Sequence, residues 1–381
     1  MGRAARPAAP ALILLLHNRY RIPGGEERAV EDLAWLVRTE LGEDAEVLER
    51  ESAALGSGRA ALGLLRGGLA PDDVAAAVRR TGARVVHAHN VQPSLGWRAL
   101  AAARSAGARV VLHLHNYRLV CAVGVCFTHG ADCTRCHGRN TLPGVRLNCR
   151  GGSRAESAAY AAGLALWQRR IADAADAFVV PSVFALGRLR ALGAPLGDRA
   201  RVVASVQRRF AERSRAAGGA YALYAGRLAP EKGAADAVAA CMAAGVPLVV
   251  AGEGPQAAEL HALAAGADVR FTGRVEPAAL TELRAGAAVA LVPSRYAEIL
   301  PLAALEAMAA GLPVVAARSG GLAEVVPEAG LHAPGDVAEL AARIAALWGD
   351  ERAGEAALAK ARALTAPAVV AAALRDVYGP A

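Results

Sequence analysis

The sequence predicts an α/β protein of two domains, each a parallel sheet covered by helices on both faces. Three observations carry this. Short apolar runs alternate with alanine-rich helical stretches along almost the whole chain, as expected of strands joined by crossover helices. The chain has 381 residues, 54% of them hydrophobic, and single cores rarely grow past about 250–300 residues. A polar stretch from Val206 to Gly219, carrying Arg208, Arg209, Arg213, Arg215 and a Gly-Gly pair, breaks the rhythm once near the middle. Such stretches mark domain boundaries.

In the first domain (1–205), strands are expected at Ala11–His17, Ala45–Leu48, Arg84–His89, Arg109–His115 and Ala177–Pro181. Helices are expected to begin near Gly25, Pro71, Pro93 and Ser153. The first strand follows Arg3 and Arg6 and superficially resembles an export signal. Its apolar part, Ala8 to Leu16, is short, lacks a small-residue cleavage site and runs into His17-Asn18-Arg19-Tyr20. It therefore reads as a buried strand, and the protein as cytoplasmic. The cysteine-rich segment 119–150 has little periodicity and reads as an insertion. In the second domain (206–366), strands are expected at Tyr221–Ala225, Pro247–Ala251, Val269–Thr272, Ala288–Val292 and Pro313–Ala317. Its helices start near Gly233, Pro255, Pro277, Pro301 and Gly321. A last helix, Pro367 to Tyr378 in the terminal segment 367–381, is expected to pack back on the first domain. No apolar run reaches the roughly 18 residues that cross a bilayer.

The formal charge is +8, and Lys232 and Lys360 are the only lysines, so the excess is arginine. That balance suits phosphorylated ligands, an anionic membrane surface or nucleic acid. With 4% aromatic residues the chain lacks the stacking platforms of single-strand binders, and nucleic acid is not expected.

In open α/β sheets, ligands bind beyond the carboxyl ends of the strands, where loops enter helix N-termini. Four such loops stand out. Gly226-Arg227-Leu228-Ala229-Pro230-Glu231-Lys232-Gly233 sets two cations around a turn, where free backbone N–H groups already favour an anion. Gly252-Glu253-Gly254-Pro255 allows close backbone approach but completes no dinucleotide fingerprint. Pro293 to Pro301 holds Glu298, and the helix that follows carries Glu306 as its one polar side chain before Gly311. A carboxylate in so apolar a helix is costly unless it meets a partner. Arg318-Ser319-Gly320-Gly321 closes the set.

Together these elements resemble the family-4 retaining glycosyltransferases. The resemblance rests on Gly-Arg-Leu-x-x-Glu-Lys-Gly, Gly-Glu-Gly-Pro and Glu298-x7-Glu306, with Ala-x-Ala-x-Gly-x-Pro-Val-Val following. It extends to Gly320-Gly321-x-x-Glu324 and, in the first half, to Gly24-Gly25, Val85-Val86-His87-Ala88-His89-Asn90 and Leu114-His115-Asn116-Tyr117. It implies the GT-B architecture, two Rossmann-like domains facing across a cleft. It further implies that Arg227 and Lys232 bind a donor diphosphate, that Glu306 holds the nucleotide ribose, and that Glu298 contacts the transferred sugar with Ile299 and Leu300 amides nearby. Gly24, Gly25, Gly252, Gly254, Gly320 and Gly321 would let backbone approach the donor, and His115 would sit by the reacting centre. The implied reaction is sugar transfer from a nucleotide diphosphate, UDP- or GDP-sugar, to an acceptor hydroxyl with retention by front-face attack. The acceptor would be a glycan, a lipid-linked or a small molecule. There is no Asp-x-Asp element, so no catalytic cofactor is expected. Two departures stand out: Ile299 where the family usually has a small residue, and no Pro-Asn-like pair after Val203.

Residue types leave other readings open. His87, His89 and His113 are read as hydrogen-bonded core histidines beside His115. Cys133-Thr134-Arg135-Cys136 has a chelating spacing, and with Cys121 and Cys126 it points to a structural zinc. Unbound thiols or disulfides are the alternatives. Arg135, Arg139, Arg146, Arg150 and Arg154 flank this segment and suit an anionic acceptor or peripheral membrane contact. A sugar-nucleotide epimerase on the same architecture, and a non-catalytic zinc- or nucleic-acid-binding module, are the competing functions.

Overall fold

The computed structural model describes residues 12–20, 24–150 and 153–380. Arg3, Arg6, the apolar residues from Ala8 to Pro10, and Ala11, where the expected first strand begins, lie outside them. In chain order the first domain holds strand β1 (Leu12–Arg19), helix α1 (Gly25–Leu36), β2 (Asp44–Glu51), α2 (Ser57–Arg66), α3 (Pro71–Thr81), β3 (Val85–Ala88), α4 (Gly96–Ser105) and β4 (Arg109–His113). Then come the hairpin β5 (Phe127–Thr128) and β6 (Ala131–Asp132), α5 (Leu142–Arg146), α6 (Arg154–Ala174), β7 (Ala177–Val180), α7 (Val183–Ala191) and β8 (Ala200–Val202).

These strands, the hairpin excepted, form one parallel sheet in the order β2-β1-β3-β4-β7-β8. Strand β1 is apolar without interruption because helices cover both faces. Side chains still alternate, as the pleat requires. Leu14 and Leu16 join Val86 and Val110 in one core, while Ile13 and Leu15 join Val85 and Val111 in the other.

The second domain continues with β9 (Tyr221–Ala225), α8 (Ala234–Ala244), β10 (Leu248–Ala251), α9 (Ala257–Leu263), β11 (Val269–Gly273), α10 (Pro277–Ala285) and β12 (Ala287–Val292). It ends with α11 (Leu302–Ala309), β13 (Val314–Ala317), α12 (Leu322–Val325), β14 (Leu331–His332), α13 (Val337–Leu347) and α14 (Glu351–Thr365). Its sheet, also parallel, runs β11-β10-β9-β12-β13-β14. The two α/β domains of the sequence reading are thus present.

Several elements were not read from the sequence. Strands β8 and β14 are edge strands of three and two residues, too short for a period to register. Helices α13 and α14 did carry a signal: Asp336 and Asp350 accept from the amides of Glu339 and Ala353, the N-cap arrangement.

The last helix, α15 (Pro367–Tyr378), begins where Pro367 ends α14, since proline removes a donor and restricts the preceding residue. It crosses to the first domain and sets Val370, Leu374 and Val377 against Ile13, Leu15 and Val111. Arg109 donates to the Val377 carbonyl at 3.0 Å, and the Tyr378 hydroxyl meets His87 Nδ1 at 2.7 Å. By length and composition the span Glu351–Tyr378, 28 residues, is long and apolar enough to cross a membrane. It passes on average composition, although charged residues such as Lys360, Arg362 and Arg375 interrupt it and no uninterrupted apolar run of that length is present. Here the span is two helices, and the apolar side of α15 is buried in the first domain's core.

Candidate active site

In the second sheet the strand order reverses between β9 and β12, so the loops that follow them part to opposite faces and leave a crevice. The loop after β9 closes with Gly233 at φ 69°. A side chain there would meet the Pro293 carbonyl at 2.0 Å, so glycine is what brings this loop onto the loop after β12. The Arg295 amide completes the junction by donating to the Glu231 carbonyl at 2.9 Å.

That junction delivers Lys232 to Glu298. The ammonium lies 3.0 Å from Glu298 Oε1 and 3.1 Å from the Tyr296 hydroxyl, and Ser294 donates to the same carboxylate oxygen. Glu298 is only 5% exposed. Burial alone would lower the Lys232 pKa, but Glu298 and Tyr296 outweigh it and the net shift is upward. The lysine is therefore held as an ammonium. Arg227, four residues before Glu231, pairs with that carboxylate and keeps its guanidinium half-exposed at the crevice mouth.

Glu306 finds the partners its setting demands. Arg28 of α1 donates to Oε1 at 2.6 Å, and Arg284 of α10 donates to Oε2. The carboxylate thus sits between one guanidinium from each domain. Arg28, Arg284, Tyr296 and Ser294 were not singled out from the sequence. Ser294 and Tyr296 lie in the Pro293–Pro301 loop that stood out for Glu298, and Arg28 comes three residues after the Gly24-Gly25 pair.

The first domain closes over this region. Beyond Gly25, a side chain would meet the Leu302 tip at 2.8 Å, so α1 abuts the start of α11. The Tyr117 hydroxyl donates to the Ala297 carbonyl at 3.1 Å, and Ser182 donates to the Ile299 carbonyl at 2.5 Å. Ile299 is buried in the first domain's core, which gives its bulk a packing role, and Leu300 packs on the second. Glu324 reaches across to accept from the Val183 and Phe184 amides at 3.1 and 3.0 Å.

The glycines are used for approaches between protein segments. A side chain at Gly252 or Gly254 would strike the Gly226 or Leu228 carbonyl at 1.9 or 2.3 Å. At Gly320 (φ 57°) it would lie 2.5 Å from the Glu298 amide, and at Gly321 2.7 Å from the Ile299 carbonyl. These turns press on the Glu298 loop. The Gly24 amide is taken by Glu27 Oε2 at 2.7 Å. Burial alone would raise the Glu27 pKa, but His17 and the Gly24 and Tyr20 amides bring it down to about 2.

His115 belongs to a stack. Its Nε2 lies 2.7 Å from His89 Nδ1, and its ring centroid lies 3.8 Å from that of His113. His87 stacks on His89 and His113 at 4.8 and 5.3 Å. Burial first, then neighbouring histidines, pushes His87 and His115 down to about 3, so these rings are neutral at ordinary pH. The ring nitrogens of His87, His89 and His113 lie within 4.8 Å of one another, close enough for one ion. Among the arginines near the cysteine segment, Arg139 donates to the Ala165 carbonyl and Arg150 pairs with Glu156 over the Tyr160 ring. Arg135, Arg146 and Arg154 are exposed.

Comparison with known proteins agrees with this architecture. Residues 22–205 match the family model "Glycosyl transferase 4-like domain", and residues 219–350 match "Glycosyl transferases group 1". Glycogen synthase of Mycobacterium tuberculosis (strain H37Rv) is 39% identical over 160 residues, which is 38% of this chain and 38% of that protein. A GDP-mannose-dependent phosphatidylinositol dimannoside mannosyltransferase of the same species is 44% identical over 110 residues, 27% of this chain and 29% of that one. The matched part thus spans well under half the length of these relatives. Anabaena HepE, solved with UDP and glucose, superposes with a TM-score of 0.64 at 20% identity, covering 96% of this chain and 98% of that one. Sucrose-phosphate synthase from Thermosynechococcus elongatus gives 0.67 at 19% identity, over 97% and 98%.

Proposed function

Because the chain belongs to the family-4 glycosyltransferases of GT-B architecture, we propose that it moves a sugar from a nucleotide diphosphate to an acceptor hydroxyl. Two observations support this reading: Lys232 paired with Glu298 where the loops after β9 and β12 meet, and Glu306 on α11 held by one arginine from each domain. An ammonium has three protons to donate. Lys232 can keep Glu298 and still give a proton to a donor phosphate, while Arg227 leaves Glu231 to grip the other with its fork. Both then stabilise the charge that grows on the diphosphate as it departs. Glu306, held from two sides, offers its oxygens to the ribose hydroxyls, and Glu298 with the Ile299 and Leu300 amides faces the sugar.

Transfer proceeds with retention: the bond from the anomeric carbon to phosphate breaks as the acceptor oxygen attacks from the same face. The acceptor proton passes to the departing phosphate oxygen, so no protein nucleophile is needed. Neutral His115 orients the sugar or acceptor by hydrogen bonding. Gly24 and Gly25 approach the phosphates from the first domain, and Gly252, Gly254, Gly320 and Gly321 shape the crevice. The donor is a UDP- or GDP-sugar, as UDP in the HepE structure and the name of the mannosyltransferase suggest. The acceptor is a glycan, lipid-linked or small molecule. The enzyme works in the cytoplasm, with Arg135, Arg146 and Arg154 facing an anionic acceptor or membrane. Thermal-shift screening against UDP-, GDP- and ADP-sugars tests the reading: one class should stabilise the protein and then be consumed only with an acceptor. Turnover without acceptor would favour an epimerase, and no response to any donor would end the proposal.

A further inference from the structure

The cysteine segment is not used by the proposed transfer. It runs from the end of β4 to α6, and the fold gathers its thiols: Cys121, Cys126, Cys133, Cys136 and Cys149 all line one cavity of about 10 Å³, the room one water or ion needs. Four of them are carried by one continuous knuckle. Cys126 and Cys133 flank the β5–β6 hairpin, with the Cys133 amide donating to the Cys126 carbonyl at 2.8 Å. Cys121 precedes this hairpin across a turn, and Cys136 follows it at the chelating Cys-x-x-Cys spacing. Cys149 enters from the far end of α5, on a separate stretch.

Two donors reach into this cluster. The Gly124 amide donates to Cys121 Sγ at 3.4 Å. The Arg188 guanidinium lies beside Cys126 while its Nη2 pairs with Asp132, and its Nε is buried without a partner among the described residues. Donors of this kind hold metal-bound thiolates in place and offset their charge. The rest of the lining is mainly apolar, including Ala122, Val123 and Pro143, and sets no charged side chain among the five thiols. Two disulfides would leave one of five cysteines over.

We propose that Cys121, Cys126, Cys133 and Cys136 hold a structural zinc ion as a tetrahedral tetrathiolate, with Cys149 outside the ligand set. Each thiol gives up a proton as the ion binds. The ion fixes the loop that follows His115, whose Tyr117 bonds to the Ala297 carbonyl across the crevice, and so steadies one wall of the candidate site. The proposal stands apart from the transferase reading.

The test is elemental analysis of the purified full chain after desalting, together with cobalt exchange. About one zinc per chain is expected, and cobalt should give the intense visible bands of a tetrahedral tetrathiolate. C133S with C136S should lose the metal, whereas C149S should keep it. Below about 0.2 zinc per chain in the parent protein, iron in its place, or disulfides found by mass spectrometry without reduction would overturn the site. Loss of metal in C149S would overturn the ligand set, a readout that remains if the double variant fails to fold.

Discussion

Replacing Lys232 by alanine separates the two jobs its ammonium performs. In the folded protein it neutralises Glu298, which is 5% exposed, from 3.0 Å. Removing one partner of a buried pair leaves the other charge uncompensated, at a cost of about 3–5 kcal/mol in fully buried cases. The lysine side chain is 26% exposed, so water reaches the pair and about 2–3 kcal/mol is the better figure. In a domain of this size that is a fall in Tm of roughly 4–12 °C. Activity should fall further, by about 100- to 1000-fold in kcat, because one donor is withdrawn from the departing diphosphate. K232A combined with E298Q distinguishes the effects, since the neutral amide needs no counter-charge. Stability should return to within about 1 kcal/mol of the parent while transfer stays lost. Denaturant melts and a donor-consumption assay read the two quantities. Parent-level turnover in K232A, or a double variant as unstable as K232A alone, would refute the argument.

Three further outcomes follow from the same geometry. His87 and His115 titrate near 3 in the folded chain but near 6.5 when unfolded. Their stabilisation is therefore complete above pH 6.5 and lost as pH falls: each should cost roughly 1.4 kcal/mol at pH 5.5 relative to pH 8, and an unchanged melting curve across that range would contradict it. G320A adds a side chain at φ 57°, 2.5 Å from the Glu298 amide; it should destabilise by at least about 2 kcal/mol, and a neutral melt would show that the turn does not bear on that loop. R28A leaves Glu306 paired with Arg284 alone; donor KM should rise about tenfold with little change in kcat, and an unaltered KM would remove α1 from the donor site.

How much of this was legible in the sequence follows from the range of each interaction. Strand β9 and its loop were readable because five apolar residues end abruptly in Gly226 and Arg227, a contrast that lies within one turn of chain. Helix α15 was found with both ends correct, since Pro367 fixes its start and its apolar stripe is unbroken. Glu306 was conspicuous for lack of local company, yet its partners were hidden: Arg28 lies 278 positions away, and no pattern along one chain encodes such a meeting. The glycines were noticed for close approach, but their protein neighbours were hidden, because a sequence shows that an approach occurs without showing which segment makes it. In the histidine stack His87, His89 and His113 were read as core residues and His115 as a site residue, and only pairing of β3 with β4 reveals that the rings touch.

The polypeptide passes between its two halves twice, once after Val206 and again at the α14–α15 junction, where the Gln207 amide is bonded to the Thr365 carbonyl at 3.0 Å. A single tether would let the halves swivel freely; two strands clasped side by side leave them one axis, as in a door. If the proposed transferase opens its crevice to the donor, the turn falls at residues 206–207 and 365–367, where both crossings lie. Rigidifying that clasp should slow product escape without touching any group that meets the sugar.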